Sequence, residues 1–338
     1  MSPIAGFTRF RKHQVGSQAS FSSNATATRI LPYRGTIVVD PAREDPDVDI
    51  GSLDPILKPF NGPKEVTGTW EGKAAFDDMP YLWNGLIKGG VTPTGGGAAK
   101  TWTFTAASLT ADTFGYVTDE WGDDYSTDVI VARGGVIDSL ELGFDEDLSA
   151  FDVNADLIYS NADLCDDFTP ALTIDSSPQW VYGADTEVYI DTAFGSIGTT
   201  KLTDAVHGAT LTVNNNLDQK RFANGSNSRF QLAGYGRGPR EIELQLVLAK
   251  TTATIAEACT LDDEPVPDRF IELRTTSPEI ITGSTPFRQS IRLPMRLISR
   301  EDGEIENNTV ITLTYRGFYS SDLGYAIRAV VVNTLSAL

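Results

Sequence analysis

Three carboxylate clusters offer the most obvious chemistry in this sequence: Asp123–Asp124, Asp145–Glu146–Asp147 and Asp262–Asp263–Glu264. Paired carboxylates can hydrolyse glycosides, and oxygen-rich loops can hold calcium. Neither chemistry is specified here. No calcium-loop spacing surrounds any cluster, and so acid-rich a chain places such groups on its solvated surface. A hydrolase built on a carboxylate pair is the weakest function class the residues allow. The stretch GGVTPTGGGAAKT, residues 89–101, glances at a phosphate-binding loop. It has Ala99 where a glycine must precede Lys100 and Thr94 at the other glycine position, and a strand follows where a helix must start. It reads as a hairpin connection. GYGRGP, residues 234–239, lacks the last glycine of a dinucleotide fingerprint and reads as a turn. Two histidines, His13 and His207, and two cysteines, Cys165 and Cys259, stand alone. They supply neither a metal set nor a disulfide framework, and both thiols are expected free. No catalytic, cofactor-binding or metal-ligating residue is assigned, and an enzyme is not expected.

Charge says more. The chain of 338 residues carries a net −19 with a sequence pI near 4.4. Residues 1–39 hold Arg9, Arg11, Lys12, Arg29 and Arg34 with no acid, so that segment is +5 and the remainder −24. An acidic body repels phosphate and does not grip nucleic acid. A basic arm on an acidic body suits the acidic body of a neighbouring copy. Arg288, Arg292, Arg296 and Arg300 recur at every fourth position opposite Ile291, Leu293, Met295 and Leu297. On a strand they would form one stripe, better suited to cross-strand pairing or a neighbouring subunit than to nucleic acid.

The elements that must position these residues are mostly strands. GVIDSLELGF and AFDVNADLIY alternate apolar and polar residues with period two, and EIELQLVLA, SIRLPMRLI and TVITLTYRGF repeat the pattern. One helix is plain in DDMPYLWNGLIKGG, where Met79, Leu82, Trp83, Leu86 and Ile87 share a stripe. Asp77 or Asp78 can cap it, Pro80 suits its first turn and Gly89–Gly90 end it. A second, near 254–259, would use Thr254 and Glu257 as a capping box and turn Ile255, Ala258 and Cys259 inward. No apolar run is long enough to span a membrane, and MSPIAGFTRFRKHQ lacks the apolar core of a secretory signal.

The order of elements repeats. TIVVD (36–40), a loop over 41–63, KEVTGTWEG, a helix and further strands recur as ATLTVNN (209–215), a loop over 216–239, REIELQLVLA, a helix and further strands. This predicts a duplicated domain. The first loop is −3 and the second +3, an acidic and a basic flap. Opposite flaps would set the register between stacked layers.

GTWEGKAAFDDMPYLWNGLIKGG, KTWTFTA, GYVTDEWGDD, GGVIDSLELGF and FDVNADLIYSN, with the opening GFTRFRKHQVG and the closing YRGFYSSDLGYAIRAVVVN, resemble the tail tube proteins of long-tailed bacteriophages. The resemblance implies a mainly β protein made of two fused tail-tube-like β-sandwich or barrel domains, each with a flanking α-helix. It divides the chain into a basic N-terminal arm (1–34), a first domain (35–165), a linker with incoming strands (166–208) and a second domain (209–338). It also implies rings stacked into a conduit for DNA in the virion tail, synthesised in the host cytoplasm. The partners implied are other copies of the chain and tail proteins such as the tape measure, tail terminator and distal tail proteins, with no membrane. The chain is about twice the length of single-domain members. A compact body of about 170 residues is roughly 40 Å across, so six in contact leave a hole of about 40 Å and three leave about 6 Å. A duplex about 20 Å wide needs six bodies. Three two-domain chains supply them, which predicts a homotrimeric, pseudo-hexameric ring with an acidic wall. The alternative is a receptor-binding or carbohydrate-binding β-sandwich of a virion.

Overall fold

Alternating apolar and polar residues become paired strands along most of the chain, and two short helices fill the gaps. The computed structural model describes residues 11–44, 58–106, 113–123, 128–222, 232–305 and 307–338. The first half contains β1 (Arg11–Gln18), β2 (Arg29–Ile30), β3 (Arg34–Asp40), β4 (Arg43–Glu44), β5 (Phe60–Asn61), β6 (Glu65–Lys73), α1 (Met79–Leu86), β7 (Lys100–Thr105), β8 (Tyr116–Asp123), β9 (Val129–Phe144), β10 (Asp152–Ile158) and β11 (Asn161–Asp166). The second contains β12 (Thr186–Asp191), β13 (Val206–Asn214), β14 (Leu217–Lys220), β15 (Gly234–Arg237), β16 (Glu241–Ala249), α2 (Thr252–Cys259), β17 (Asp268–Thr282), β18 (Thr285–Ile305), β19 (Asn308–Gly317) and β20 (Arg328–Asn333). The fold is mainly β and sandwich-like, and its sheets do not close into barrels.

Both halves pair their strands in one order. β3 pairs β6, β6 pairs β10, β10 pairs β9 and β9 pairs β8, with β1 outside β8. In the second half β13 pairs β16, β16 pairs β19, β19 pairs β18 and β18 pairs β17, with β12 outside β17. β11 and β20 occupy matching places beside β9 and β18, while β2 and β7 have no counterpart strand among the described residues. Details match as well. The β9–β10 ladder skips Asp138, and the β18–β19 ladder skips Ile298 at the equivalent point. Ala42 and Asn216 both adopt left-handed backbone (φ 42° and 48°), and each carbonyl accepts from a glycine N–H, Gly62 or Gly238. A bulge is a specific feature, so one recurring at the same ladder position marks one unit used twice.

The units share a sheet. The second half of β9 pairs β10 on one edge and β13 on the other, giving the continuous order β18-β19-β16-β13-β9-β10-β6-β3. One buried cluster lies beneath it, including Trp70, Leu140, Leu142, Leu211, Leu244 and Leu313. Fully burying such a side chain contributes about 1.5–3 kcal/mol.

Several expectations change. Residues 11–34, expected within a basic arm, are built into the first unit, because β1 pairs β8 along its whole length. Its sequence is polar yet buried: His13, Gln14 and Gln18 find partners inside, which apolar periodicity does not reveal. Residues 1–10 lie outside the described residues. α1 is buried on every side rather than along one stripe, and Asp78 at its start binds Arg29 at 2.5 Å instead of capping. α2 is capped by Thr251 with Thr254, while Glu257 pairs with Arg269 at 2.8 Å. Ile255 and Cys259 are exposed, because only Thr254 and Ala258 of α2 face the core. GYGR, expected as a turn, is strand β15.

Candidate functional site

The eight-strand sheet presents one polar face. Cross-strand register places Asp40, Glu65, Glu71, Asp152, Asp156, Glu141, Glu241, Glu243 and Glu301 on it, interleaved with threonines. The basic residues there are Arg34, Lys73, Arg296 and Arg316, giving nine carboxylates against four bases and a net −5. Lys73 is held by Asp152 at 2.8 Å and Arg296 by Asp268 at 2.5 Å, while Arg34 and Arg316 stand opposite Glu71 and Glu243. The excess is therefore carboxylate. The four-arginine stripe is split by the bulge at Ile298, because one extra residue reverses the alternation. Arg296 lies on the acidic face. Arg300 turns to the other side and binds Asp302, and Arg288 and Arg292 lie where β18 pairs β17 and β20, Arg292 on Glu272 at 3.2 Å.

Two edges of this sheet are open among the described residues. β3 pairs only β6, and the stretch of β18 beyond Arg296 pairs only β19. Edge strands normally carry features that stop further pairing. β3 carries charge only at its ends, Arg34 and Asp40, and Val38 between them is 56 % exposed. The two open edges are the counterparts of two strands already joined: β13 matches β3, and the second half of β9 matches the second half of β18. In the β9–β13 joint, Thr210 stands opposite Gly143, Thr212 opposite Glu141 and Asn214 opposite Ser139. Asn215 N–H continues it to the carbonyl of bulge residue Asp138 at 2.8 Å, and Leu217 N–H donates to the Asp138 carboxylate at 2.8 Å.

The flaps have matching bases, β4 with β5 and β14 with β15. The second docks on the first unit of its own chain. Tyr235 packs edge-on against Phe21, Arg237 lies 3.7 Å over Phe114, and Arg221 donates to the Lys64 carbonyl at 3.2 Å. Part of the basic flap's charge, expected to face another layer, is thus used within the chain. Most of the acidic flap (45–57) and part of the basic one (223–231) lie outside the described residues.

A buried carboxylate occupies the matching strand of each unit, Asp119 on β8 and Glu272 on β17. Asp119 lies 2.5 Å from His13 Nε2 and accepts from Trp70 Nε1 at 2.7 Å and Tyr159 OH at 2.5 Å. Burial, then the nearby carboxylate, pushes the Tyr159 hydroxyl well above its ordinary value and keeps it a donor. In the second unit Glu272 takes Arg274 at 2.9 Å, Arg292 and the Ser290 hydroxyl. His13 and Asp119 are both buried, and Trp70 of β6 and Tyr159 at the end of β10 hold the carboxylate in place. A surface groove of about 370 Å³ between Phe21, Tyr116, Tyr235 and Arg237 brings no nucleophile beside a base. Among the described residues no group of His, Cys, Asp and Glu is arranged to hold a metal. The carboxylates of 145–147 and 262–264 are largely solvated, and Asp123 faces Arg11. No protein-family model matches the chain, and no curated protein matches it.

The joint is the feature that sequence reading missed. Its signal was present in Gly62-Pro63-Lys64-Glu65 and Gly238-Pro239-Arg240-Glu241, which close the two flaps at matching positions.

Proposed function

We propose that this protein polymerises with itself, head to tail, into rings that stack as the tail tube of a long-tailed bacteriophage and conduct DNA. The observation that carries the proposal is the β9–β13 joint, whose two halves recur unpartnered as β18 and β3. A chain with one internal joint and complementary ends repeats that joint with its neighbours, and a heterologous contact of this kind closes into a ring when the rotation permits. Transferring the register places Thr36 opposite Gly303, Val38 opposite Glu301 and Asp40 opposite Ser299 of the next copy. Each chain supplies two units, so three chains supply the six that a duplex-wide channel needs.

The acidic face then lines the channel. A wall about 10 Å from the duplex lies near one Debye length at physiological salt, so it repels phosphate weakly from all sides. DNA slides and does not adhere. The bases on that face stand beside carboxylates, which suppresses charge-assisted bonds to passing phosphates.

The test is disulfide capture of the transferred register. Val38→Cys with Glu301→Cys, in a Cys165→Ser, Cys259→Ser background, should give covalent multiples of the chain on oxidation. Electron microscopy of the same sample should show rings or tubes with three chains per layer. Monomers, six chains per layer, or discrete oligomers that never stack would refute it. The last outcome would return the protein to the receptor-binding class.

A further inference from the structure

The arginine stripe of β18 leaves charge that the sheet itself does not use. The alternation of β18 is unbroken from Arg288 to Arg296, so Arg288, Arg292 and Arg296 project from one side of the strand, opposite the buried Ile291, Leu293 and Met295. Arg296 lies on the acidic face. At about 3.3 Å per residue, Arg292 is about 13 Å further along the strand and Arg288 about 26 Å. Over that distance the surface changes sign. Cross-strand register lays out the far end. Glu272, Arg292 and Arg328 form one row across β17, β18 and β20. Arg274 and Ser290 stand in the next row, and Arg288 stands opposite Thr276 in the one after. Glu187 of β12 faces Arg274 and holds Lys201 beside it. Arg274, Arg288, Arg292, Arg328 and Lys201 thus meet only Glu187 and Glu272. Five bases against two carboxylates make this patch +3, on a chain of net −19.

Both carboxylates are already engaged. Glu187 takes Lys201 at 2.7 Å and the Tyr189 hydroxyl at 2.6 Å. Glu272 takes Arg274 at 2.9 Å, Arg292 at 3.2 Å and the Ser290 hydroxyl at 2.7 Å. Among the described residues, none is left for the exposed Arg288 or for Arg328. Arg328 stands directly opposite Arg292, and like charges so placed destabilise a sheet. Its guanidinium reaches the Tyr325 hydroxyl, which burial keeps protonated and neutral. Its Nε is buried and has no acceptor.

We infer that this patch on β18 and β20 is a docking surface for an extended acidic segment of a partner polypeptide, whose carboxylates settle on Arg288 and Arg328. Guanidinium pairs a carboxylate through two parallel charge-assisted bonds, the stronger kind of hydrogen bond. Spacing fits as well. An extended chain turns alternate residues to one side, about 6.6 Å apart, so carboxylates four positions apart span the about 13 Å between the Arg328 row and Arg288. A duplex or an anionic lipid surface fits less well. Each extends far past a +3 patch and meets the remaining −22 of the chain. The patch uses no residue of the β3–β18 joint, so it stands or falls apart from head-to-tail assembly.

The probe is a fluorescent peptide of alternating Glu and Thr, titrated with the full chain at low salt and followed by anisotropy. It should bind, and added salt should weaken it. Arg288→Ala should weaken binding about tenfold, the worth of one charge-assisted bond, and Arg288→Ala with Arg328→Ala should weaken it further. Arg288→Glu should abolish binding and leave thermal unfolding unchanged, because Arg288 is exposed and has no partner to lose. Arg316→Ala, on the acidic face, should bind as the unaltered chain does. A peptide of alternating Lys and Thr should not compete. The inference is overturned if the Glu–Thr peptide does not bind, if it binds the Arg288→Glu chain equally well, or if a short DNA duplex of equal charge displaces it.

Discussion

Charge placed on one exposed residue separates strand addition at β3 from any looser association. Val38 is 56 % exposed and faces Thr67 of β6 within its own chain. Val38→Glu should therefore change monomer stability by no more than about 0.5 kcal/mol. Across the proposed joint the new carboxylate stands directly opposite Glu301. Like charges directly opposite on adjacent strands cost about 0.2–1 kcal/mol, and opposite charges gain a similar amount. A three-chain ring contains the joint three times, so the total is about 0.6–3 kcal/mol, or roughly 3- to 150-fold in the ring's assembly constant. Val38→Lys should act in the opposite direction. The double variant Val38→Glu, Glu301→Lys should recover assembly, because it restores an opposed pair. Sedimentation velocity over a concentration series at low salt measures all four proteins. Repeating it at high salt should compress the differences, since exposed pairs are screened. If Val38→Glu and Val38→Lys assemble alike, or the charge swap fails to rescue, residue 38 does not face residue 301 and the transferred register is wrong.

Two further predictions concern the buried charges. Asp119→Ala leaves His13, Trp70 and Tyr159 without their common partner and should cost about 3–5 kcal/mol in chemical denaturation. Amide exchange should rise first across residues 11–18, and unchanged exchange there would show that Asp119 does not hold β1. Asp78 has its carboxyl pushed up to about 6 from an ordinary 3.8, chiefly by burial, with Arg29 opposing the rise. As pH rises past about 4, the unfolded chain loses this proton before the folded one does. Asp78's contribution is therefore full below pH 4 and falls by on the order of 3 kcal/mol by pH 6, after which it is flat. Asp78→Asn should remove that slope from the stability–pH curve, and an unaltered slope would assign it to another group.

Much of the fold was legible because period-two alternation records a sheet with one wet face. β9, β10, β16 and β19 were read from that alternation, and their polar sides lie on the acidic face of the sheet. β1 escaped because its polar residues are buried with partners, so burial there follows hydrogen bonding rather than hydropathy. The bulge at Ile298 escaped because one extra residue leaves no mark in composition, yet it moves Arg300 to the opposite side of the sheet. The helix caps misled for a related reason: Asp78 and Glu257 looked like caps but were engaged by Arg29 and Arg269, distant in sequence. The open edges could not be seen at all, since an edge is defined by which strand is absent beside it.

The joint within the chain and the joint proposed between chains differ in the residues they bring to the core side of the sheet. Inside the chain, the core side of β9 carries Leu140, Leu142 and Phe144, all buried. At the matching positions β18 carries Arg300, Asp302 and Glu304. Lys250 and Arg300 donate to Asp302 and hold its carboxyl below the ordinary range. An open edge with three apolar residues there would pair with any exposed strand, and charged residues are the usual protection against that. In the proposed ring the cost would fall on the contact between chains, which would bury less apolar surface than the contact within each chain.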